Sequence, residues 1–502
     1  MGAHVLDYLE DSARTHPESC AVIDENGCLT YAELREGSRK VGSALAKRDV
    51  RARAVIIAMD KGANALMAQL GVLYAGGFYV PVDPLISLER LELITITLGE
   101  APIIVDAAFE RRIADRHLGI EPIRFGDLYQ SKVNEEKLRE VRDRALETDP
   151  VYTLFTSGST GVPKGVIITH RAIMSFIDAF VGVFGINDTD RIGNQAPFDF
   201  DVSTKDIYAS LAASATLVII PRKLFMRPAD LAKLLEEQRV TVLIWAVAAL
   251  CLMSTYHAWG VANLSAIRSV LFSGETMPTK HLKSLRSHLP NALFANLYGP
   301  TETTCNCLYH ILEPNRDYAE GVPLGISFDH CDVVLIDGEG HEVTTAGVEG
   351  ELLVRGPSLA LGYLGQPELT SQAFVQNPLN TRFPDRVYRT GDIAKRDGEG
   401  RLFFCGRKDN QVKYQGHRVE LEEIDLAFER FSGVDRCRCA FDAEKRLIRA
   451  FYEGAAEERE LSQMMRRTLP AFMCPASIRR VAHMPLTKNG KVDRSQLLEL
   501  SR

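Results

Sequence analysis

The sequence predicts an α/β protein with a large N-terminal domain of parallel-rich sheets and helices, a small β-subdomain, and a small mobile α+β C-terminal domain. Three observations predict it. In the first half, short apolar or β-branched runs alternate with helical patterns, which implies crossover units and parallel sheets covered on both faces. From about residue 326, short strands are separated by glycine and acidic turns such as DGEGHEV and RDGEGR. After residue 406 the chain turns to a compact mixture of helix and strand.

The elements follow in order. A strand at 54–59 leads to a helix at 63–74, and short strands are expected at 101–105 and 151–155. Strand 216–220 precedes helix 228–238, and strand 240–246 precedes helix 248–255. Strands at 332–336, 350–355 and 401–406 define the β-subdomain, placed at about 326–406. A helix at 421–431, a strand at 446–453 and a helix at 457–468, ended by Pro470, complete the chain. The core is assigned to residues 1–406 and the mobile lid to 407–502, with the boundary near 407–411.

With 502 residues, 46% hydrophobic and 25% charged, the chain can bury a large core and is neither fibrous nor disordered. Its 59 Lys and Arg against 66 Asp and Glu give a net charge of −7, which argues against nucleic acid as the main ligand. The ten cysteines include the close pairs Cys305/Cys307 and Cys437/Cys439 but no zinc-type Cys-x-x-Cys, so reduced thiols are expected. The N-terminus lacks the basic start and apolar stretch of a signal peptide, and Leu6 stands where a myristoylation signal needs Ser or Thr. The longest apolar stretches, 207–220 and 240–253, are too short or too broken to cross a bilayer. A cytoplasmic protein without membrane insertion is the expectation.

The segment 153–170 reads TLFTSGSTGVPKGVIITH. Small residues such as Gly158 let backbone N–H groups approach phosphate oxygens, Thr156, Ser157, Ser159 and Thr160 add hydroxyl donors, and Lys164 adds a cation. The ligand expected is a nucleotide polyphosphate. Pro163 and Gly165 flank the lysine, so this is not the Walker loop, which needs Ser or Thr after the lysine to hold the metal.

This string resembles the phosphate loop of the adenylate-forming superfamily, which includes acyl-CoA synthetases, luciferases and the adenylation domains of nonribosomal peptide synthetases. Other strings of that family stand here in its order: LTYAEL at 29–34, GGFYVPVDP at 76–84, FDFDVS at 198–203 and NLYGPTE at 296–302. YRTGD at 388–392, GRKDNQVKYQGHRVELEEI at 406–424 and NGKVDR at 489–494 follow. The resemblance covers nearly the whole chain. It implies attack of a carboxylate on Mg-ATP to give an acyl-adenylate and pyrophosphate, then acyl transfer to a thiol. Two anions must meet, which requires cations.

By resemblance, Lys491 bridges the substrate carboxylate and the α-phosphate, Glu302 is the magnesium ligand, and Thr301 contacts the α-phosphate. Tyr298 stacks on adenine within a site that includes Asn296 and Gly299, Asp392 accepts both ribose hydroxyls, and Arg407 adds a ribose or phosphate contact. Asp409 stands at the family's hinge, where one backbone change would carry Lys491 away and bring the region of residue 416 to the thiol.

FDVSTKD at 200–206 aligns with the amino-acid-specific branch, which assigns Asp201, rather than Asp199, to the substrate ammonium. The other pocket positions carried over are Val202, Lys205, Ala248, Leu271, Ser273, Leu297, Cys305 and Asn306. Lys205 departs from the usual apolar residue. Two readings stay open: it meets an acceptor on the substrate, or it pairs internally with a residue such as Asp206 or Asp199.

No Ser-centred carrier motif is visible, so the expected partners are an amino acid and a separate phosphopantetheinylated carrier protein, as for D-alanine–carrier protein ligases and discrete adenylation enzymes. The alternatives are an acyl- or aryl-CoA ligase of the same superfamily and a catalytically inactive nucleotide-binding regulator.

Overall fold

Alternating apolar strands and helices build two large sheets in the computed structural model, which describes residues 4–114, 122–158, 161–319, 321–443, 445–486 and 492–500. The chain divides into two compact units. One comprises Met1–Pro84, Glu100–Leu154 and Val166–Gly406; the other comprises Leu85–Gly99, Phe155–Gly165 and Arg407–Arg502.

The first unit contains a nine-stranded sheet in the order Ile326–Ser327, Leu308–Ile311, Leu293–Tyr298, Ser269–Ser273, Val242–Ala246, Arg191–Asn194, Thr216–Ile219, Cys20–Asp24, Gly27–Thr30. The six central strands run parallel, and antiparallel strands close both edges. Parallel strands between helices are buried on both faces, which is why 242–246 reads as an unbroken apolar run and 269–273 is buried at every position. The second sheet has seven strands, ordered Gly362–Tyr363, Lys164–Thr169, Pro150–Thr156, Phe78–Pro81, Ala54–Ala58, Ile103–Val105, Pro122–Arg124. The β-subdomain is an antiparallel sheet of Asp332–Ile336, Glu349–Arg355, Arg386–Arg396 and Phe374–Gln376, with Leu402–Arg407 paired to the long third strand.

The LTYAEL string is a helix start. The Thr30 side chain accepts from the Glu33 N–H at 3.2 Å, and Glu33 accepts the Thr30 N–H at 2.8 Å, a capping box at the head of helix Tyr31–Ala46. Tyr31, fully buried, donates its hydroxyl to the carbonyls of Ser210 and Ala215, which ties that helix to the end of helix Val202–Ala213.

Cys20 and Cys28 form a disulfide with Cα atoms 6.2 Å apart, while the other eight cysteines are free. This corrects the expectation of reduced thiols throughout. The hairpin of Cys20–Asp24 and Gly27–Thr30 folds one cysteine back toward the other, a proximity made by the turn and invisible in the spacing.

In the second unit, helix Leu421–Glu429 packs Leu421, Ile424 and Phe428 against Cys437, Cys439, Ile448 and Ala450 of the strands Val434–Asp442 and Leu447–Gly454. Ser477–Arg480 completes that sheet, and helix Glu458–Thr468 adds Leu461 and Met465 to the same core. Gln411–Tyr414 and His417–Glu420 form a hairpin turning at Gln415 and Gly416, both with positive φ (52° and 84°), as a two-residue hairpin turn requires.

Candidate active site

Strand alternation decides which side chains reach helix Val202–Ala213. Ser273 pairs with Leu297 and Leu271 with Ala295 across neighbouring parallel strands, so all four share one face. Leu271, Ala295 and Leu297 lie in the buried cluster that contains Ile207 and Tyr208 of the helix, whereas Val270, Phe272 and Phe294 point into a separate cluster. Val202 and Cys305 are buried, and Ala248 is half-buried on helix Val247–Thr255.

The helix is buried from Val202 through Leu211. Asp201 stands at its start; Thr301 Oγ1 donates to Asp201 Oδ2 at 2.6 Å, and the Cys305 thiol donates to the Asp201 carbonyl at 2.8 Å. Asp199 goes elsewhere. It lines a cavity of about 210 Å³ with Lys61, Gln69 and Arg222, where burial and then Asp83 push its carboxyl up to about 6. One turn beyond Asp201, the Lys205 ammonium donates to Asn306 Oδ1 at 2.9 Å and Ser273 Oγ at 3.2 Å. Asp206 accepts from Asn194 Nδ2 at 2.7 Å, at the end of strand Arg191–Asn194, whereas Ser273, which accepts from Lys205, ends strand Ser269–Ser273.

The NLYGPTE string carries strand Leu293–Tyr298 into the short 3-10 turn Thr301–Thr303. Thr304 and Cys305 follow with φ of 56° and 70°, a left-handed pair without glycine, pinned by Thr304 Oγ1 donating to the Ser358 carbonyl at 2.6 Å. Gly299 makes this path possible, because a Cβ there would lie 2.5 Å from Asn306 Cα. Glu302 is fully buried and accepts the Tyr363 hydroxyl at 2.8 Å. Tyr298 donates its hydroxyl to Asp392, so the residues expected at adenine and ribose are neighbours. Burial, reinforced by Asp392, drives the Tyr298 phenol well above its ordinary range. Asn296 Nδ2 donates to the Pro323 carbonyl at 2.8 Å.

In the second unit, the loop 156–164 meets the segment 418–423. Ser157 Oγ donates to the Arg418 carbonyl at 2.8 Å, the Gly158 N–H to Glu423 at 3.0 Å, and the Lys164 ammonium to Glu420 at 3.1 Å. Arg90 also pairs with Glu423 at 2.7 Å. Thr156 Oγ1 is buried without a hydrogen-bond partner among the described residues. Arg407 grips Asp409 through two bonds of 2.6 and 2.8 Å. Ser159, Thr160 and Lys491 lie outside the described residues.

A family model described as AMP-binding enzyme matches residues 9–364. The chain belongs to the AMP-binding enzyme family. Over 505 residues it is 30% identical to bacitracin synthase 1 of Bacillus licheniformis, a match covering 99% of this chain and 9% of that protein. The chain thus spans less than a tenth of that curated relative. It is 31% identical over 513 residues to zwittermicin A synthase ZmaJ of Bacillus cereus, covering 99% of this chain and 95% of that one. In fold it resembles holo-PA1221, described as an NRPS protein containing adenylation and PCP domains, at a TM-score of 0.85 and 23% identity over 99% of this chain and 84% of that one. The likeness to holo-PA1221 shows a shared fold.

The AMP-binding family implies ATP and magnesium, and the donor sets fit both. The orphan Thr156 hydroxyl, the Ser157 hydroxyl, the Gly158 N–H and the Lys164 ammonium are donors suited to phosphate oxygens. Glu302 supplies one hard carboxylate oriented by Tyr363, the kind of single protein ligand that magnesium combines with phosphate oxygens. Sequence reasoning missed Tyr363, Glu420 and Glu423. The two glutamates sit in the ELEEI text, but nothing in that text says which donors they meet. Among the described residues no helix is long and apolar enough to cross a membrane.

Proposed function

We propose that this chain activates an amino acid as its aminoacyl-adenylate and passes the acyl group to the phosphopantetheine thiol of a carrier protein. A carboxylate oxygen of the amino acid attacks the α-phosphorus of ATP and pyrophosphate leaves; the thiol sulfur then attacks the acyl carbon, AMP leaves, and the thiol proton is released. The observation that carries this reading is the 2.6 Å bond from Thr301 to Asp201, which ties a buried carboxylate to the residue next to Glu302. A carboxylate there suits a substrate with an ammonium beside the acid to be activated, and a fatty or aryl acid has none to offer.

Each residue has a part in this reading. Asp201 holds the α-ammonium and so orients the α-carboxylate. Thr156, Ser157, Gly158, Ser159, Thr160 and Lys164 donate to the phosphates. Tyr298 and Asp392 hold the nucleoside, with Arg407 contributing. Lys491 neutralises the charge that builds as carboxylate and α-phosphate approach. Magnesium, when bound at Glu302, supplies positive charge to the phosphate oxygens. Asp409 is the pivot for the second step.

ATP–pyrophosphate exchange tests the reading. An amino acid should drive exchange better than any fatty or aryl acid. Asp201→Asn should lower kcat/KM for that amino acid by about 100-fold or more, the scale of removing one partner of a buried charge pair. A wild-type preference for an aryl or fatty acid would establish the CoA-ligase alternative instead, and ATP or AMP binding without exchange for any acid would point to the nucleotide-binding regulator. Mass analysis of a carrier protein, reading the gain of the aminoacyl group on its phosphopantetheine, tests the second step.

A further inference from the structure

We infer that the amino acid bears an anionic side chain, a carboxylate, and that Lys205 is the residue that selects it. This rests on the amino acid reading above and deepens it.

Lys205 has no exposed surface and sits in a helix buried from Val202 to Leu211. An ammonium in such a place is costly unless something compensates its charge. Inside the protein the compensation is weak. The ammonium has three donors, and its two acceptors, Ser273 Oγ at 3.2 Å and Asn306 Oδ1 at 2.9 Å, are neutral. Among the described residues no carboxylate oxygen lies within 4.0 Å of it as an ion pair. Of the internal partners open to it in sequence, Asp206 takes the Asn194 amide at 2.7 Å through one oxygen and acts on Lys205 through space without a hydrogen bond, and Asp199 lines the cavity with Lys61 and Arg222. Burial lowers the Lys205 pKa, with Cys305, Asp201 and Asp206 opposing it from further away.

The position of this cation makes it a selector. Asp201 and Lys205 are four residues apart, so they stand on one face of the helix, a turn from each other. Both are tied to the same loop: Cys305 donates to the Asp201 carbonyl and Asn306 accepts from Lys205. Ser273 and Asn306 are short polar groups that orient the ammonium, and among the described residues its third N–H makes no hydrogen bond. A substrate with an α-ammonium and a side-chain carboxylate matches one pocket anion and one pocket cation in turn, while its α-carboxylate remains for the nucleotide. A neutral side chain would leave Lys205 with its two neutral acceptors alone.

Pyrophosphate exchange with wild type, Lys205→Met and Lys205→Arg, across D- and L-amino acids with Asp and Glu set beside Asn and Gln, tests the inference. The wild type should prefer an acidic amino acid over its amide by roughly 100-fold in kcat/KM, as expected when a desolvated charge pair is made or missed. Lys205→Met should remove that preference by lowering the acid while sparing the amide, and Lys205→Arg should retain part of it. A neutral amino acid as best substrate, or an unchanged acid preference in Lys205→Met, would overturn the inference with the amino acid function intact. A fatty or aryl acid as best substrate would instead overturn the function. If Lys205→Met fails to fold by circular dichroism, the wild-type ranking of acid against amide decides the matter.

Discussion

The pocket beside Asp201 and the loop 156–164 both present cationic and N–H donors, yet the two regions satisfy them in opposite ways. In the pocket, the Lys205 ammonium rests on a hydroxyl and an amide. In the loop, Lys164 and the Gly158 N–H each meet a full carboxylate, from Glu420 and Glu423. A ligand entering the pocket adds charge compensation that the protein lacks, whereas a phosphate reaching the loop donors must replace carboxylates already there. On the proposed function, the difference separates selection from regulation: the pocket would discriminate by what it lacks, and the loop would set a threshold by what it already holds.

Breaking the pocket side should have the largest effect. In Gly299→Ala the added Cβ would sit 2.5 Å from Asn306 Cα, 2.7 Å from the Cys305 carbonyl and 2.8 Å from the Cys307 nitrogen, all backbone atoms with little room to yield. The loop that carries Asn306 must shift, and with it one of the two acceptors that orient Lys205. We expect kcat/KM for the amino acid to fall about 100-fold, in line with a misplacement of about 1 Å, with a smaller change in KM for ATP. Steady-state exchange with each substrate varied in turn measures both. Equal losses for the two substrates would show that Gly299 serves the nucleotide side instead.

The loop side should respond more gently and in the opposite direction. Glu420→Gln keeps the shape and an acceptor for Lys164 while removing the carboxylate charge that competes with phosphate. KM for ATP should drop about fivefold, since a charge-assisted bond is worth roughly twice a neutral one, with KM for the amino acid unchanged. A rise in KM for ATP would mean that Glu420 positions Lys164 for the nucleotide rather than holding it back.

The sequence conveyed the architecture and the residue types of the candidate site far better than their pairings. The alternation of apolar runs located strands 54–58, 216–219 and 242–246 because parallel strands buried on both faces cannot hide their composition. The register of FDVSTKD picked Asp201 over Asp199, and the Thr301 bond joins that residue to the NLYGPTE loop. The partners of Lys205 were not legible, since Ser273 and Asn306 lie 68 and 101 residues away in the chain and only the fold brings them to it. The same holds for Tyr363 on Glu302, 61 residues apart, and for Cys20 with Cys28, whose meeting depends on a hairpin turn. Local pattern reports propensity and burial; long-range pairing is decided when elements pack.

The smallest expected effect probes the residue next to Lys205. Asp206 is buried beside Asn194, one of its oxygens has no hydrogen-bond partner among the described residues, and burial pushes its carboxyl up to about 7, opposed by the Asn194 amide and by Lys205 and Lys61. The folded protein therefore binds a proton at Asp206 more tightly than the unfolded chain, whose carboxyl titrates near its ordinary value of 3.8. With more protons bound in the folded state, stability from this group is fully present below 3.8 and is lost as pH rises through about 7. Asp206→Asn keeps an acceptor for Asn194 and removes the titration. Its melting temperature should exceed that of wild type by a few degrees at pH 8, and the advantage should shrink as pH falls toward 5. A constant difference across that range would show that Asp206 stays ionised in the fold and balances Lys205, in which case the lysine is compensated from within and its claim on an acidic substrate weakens.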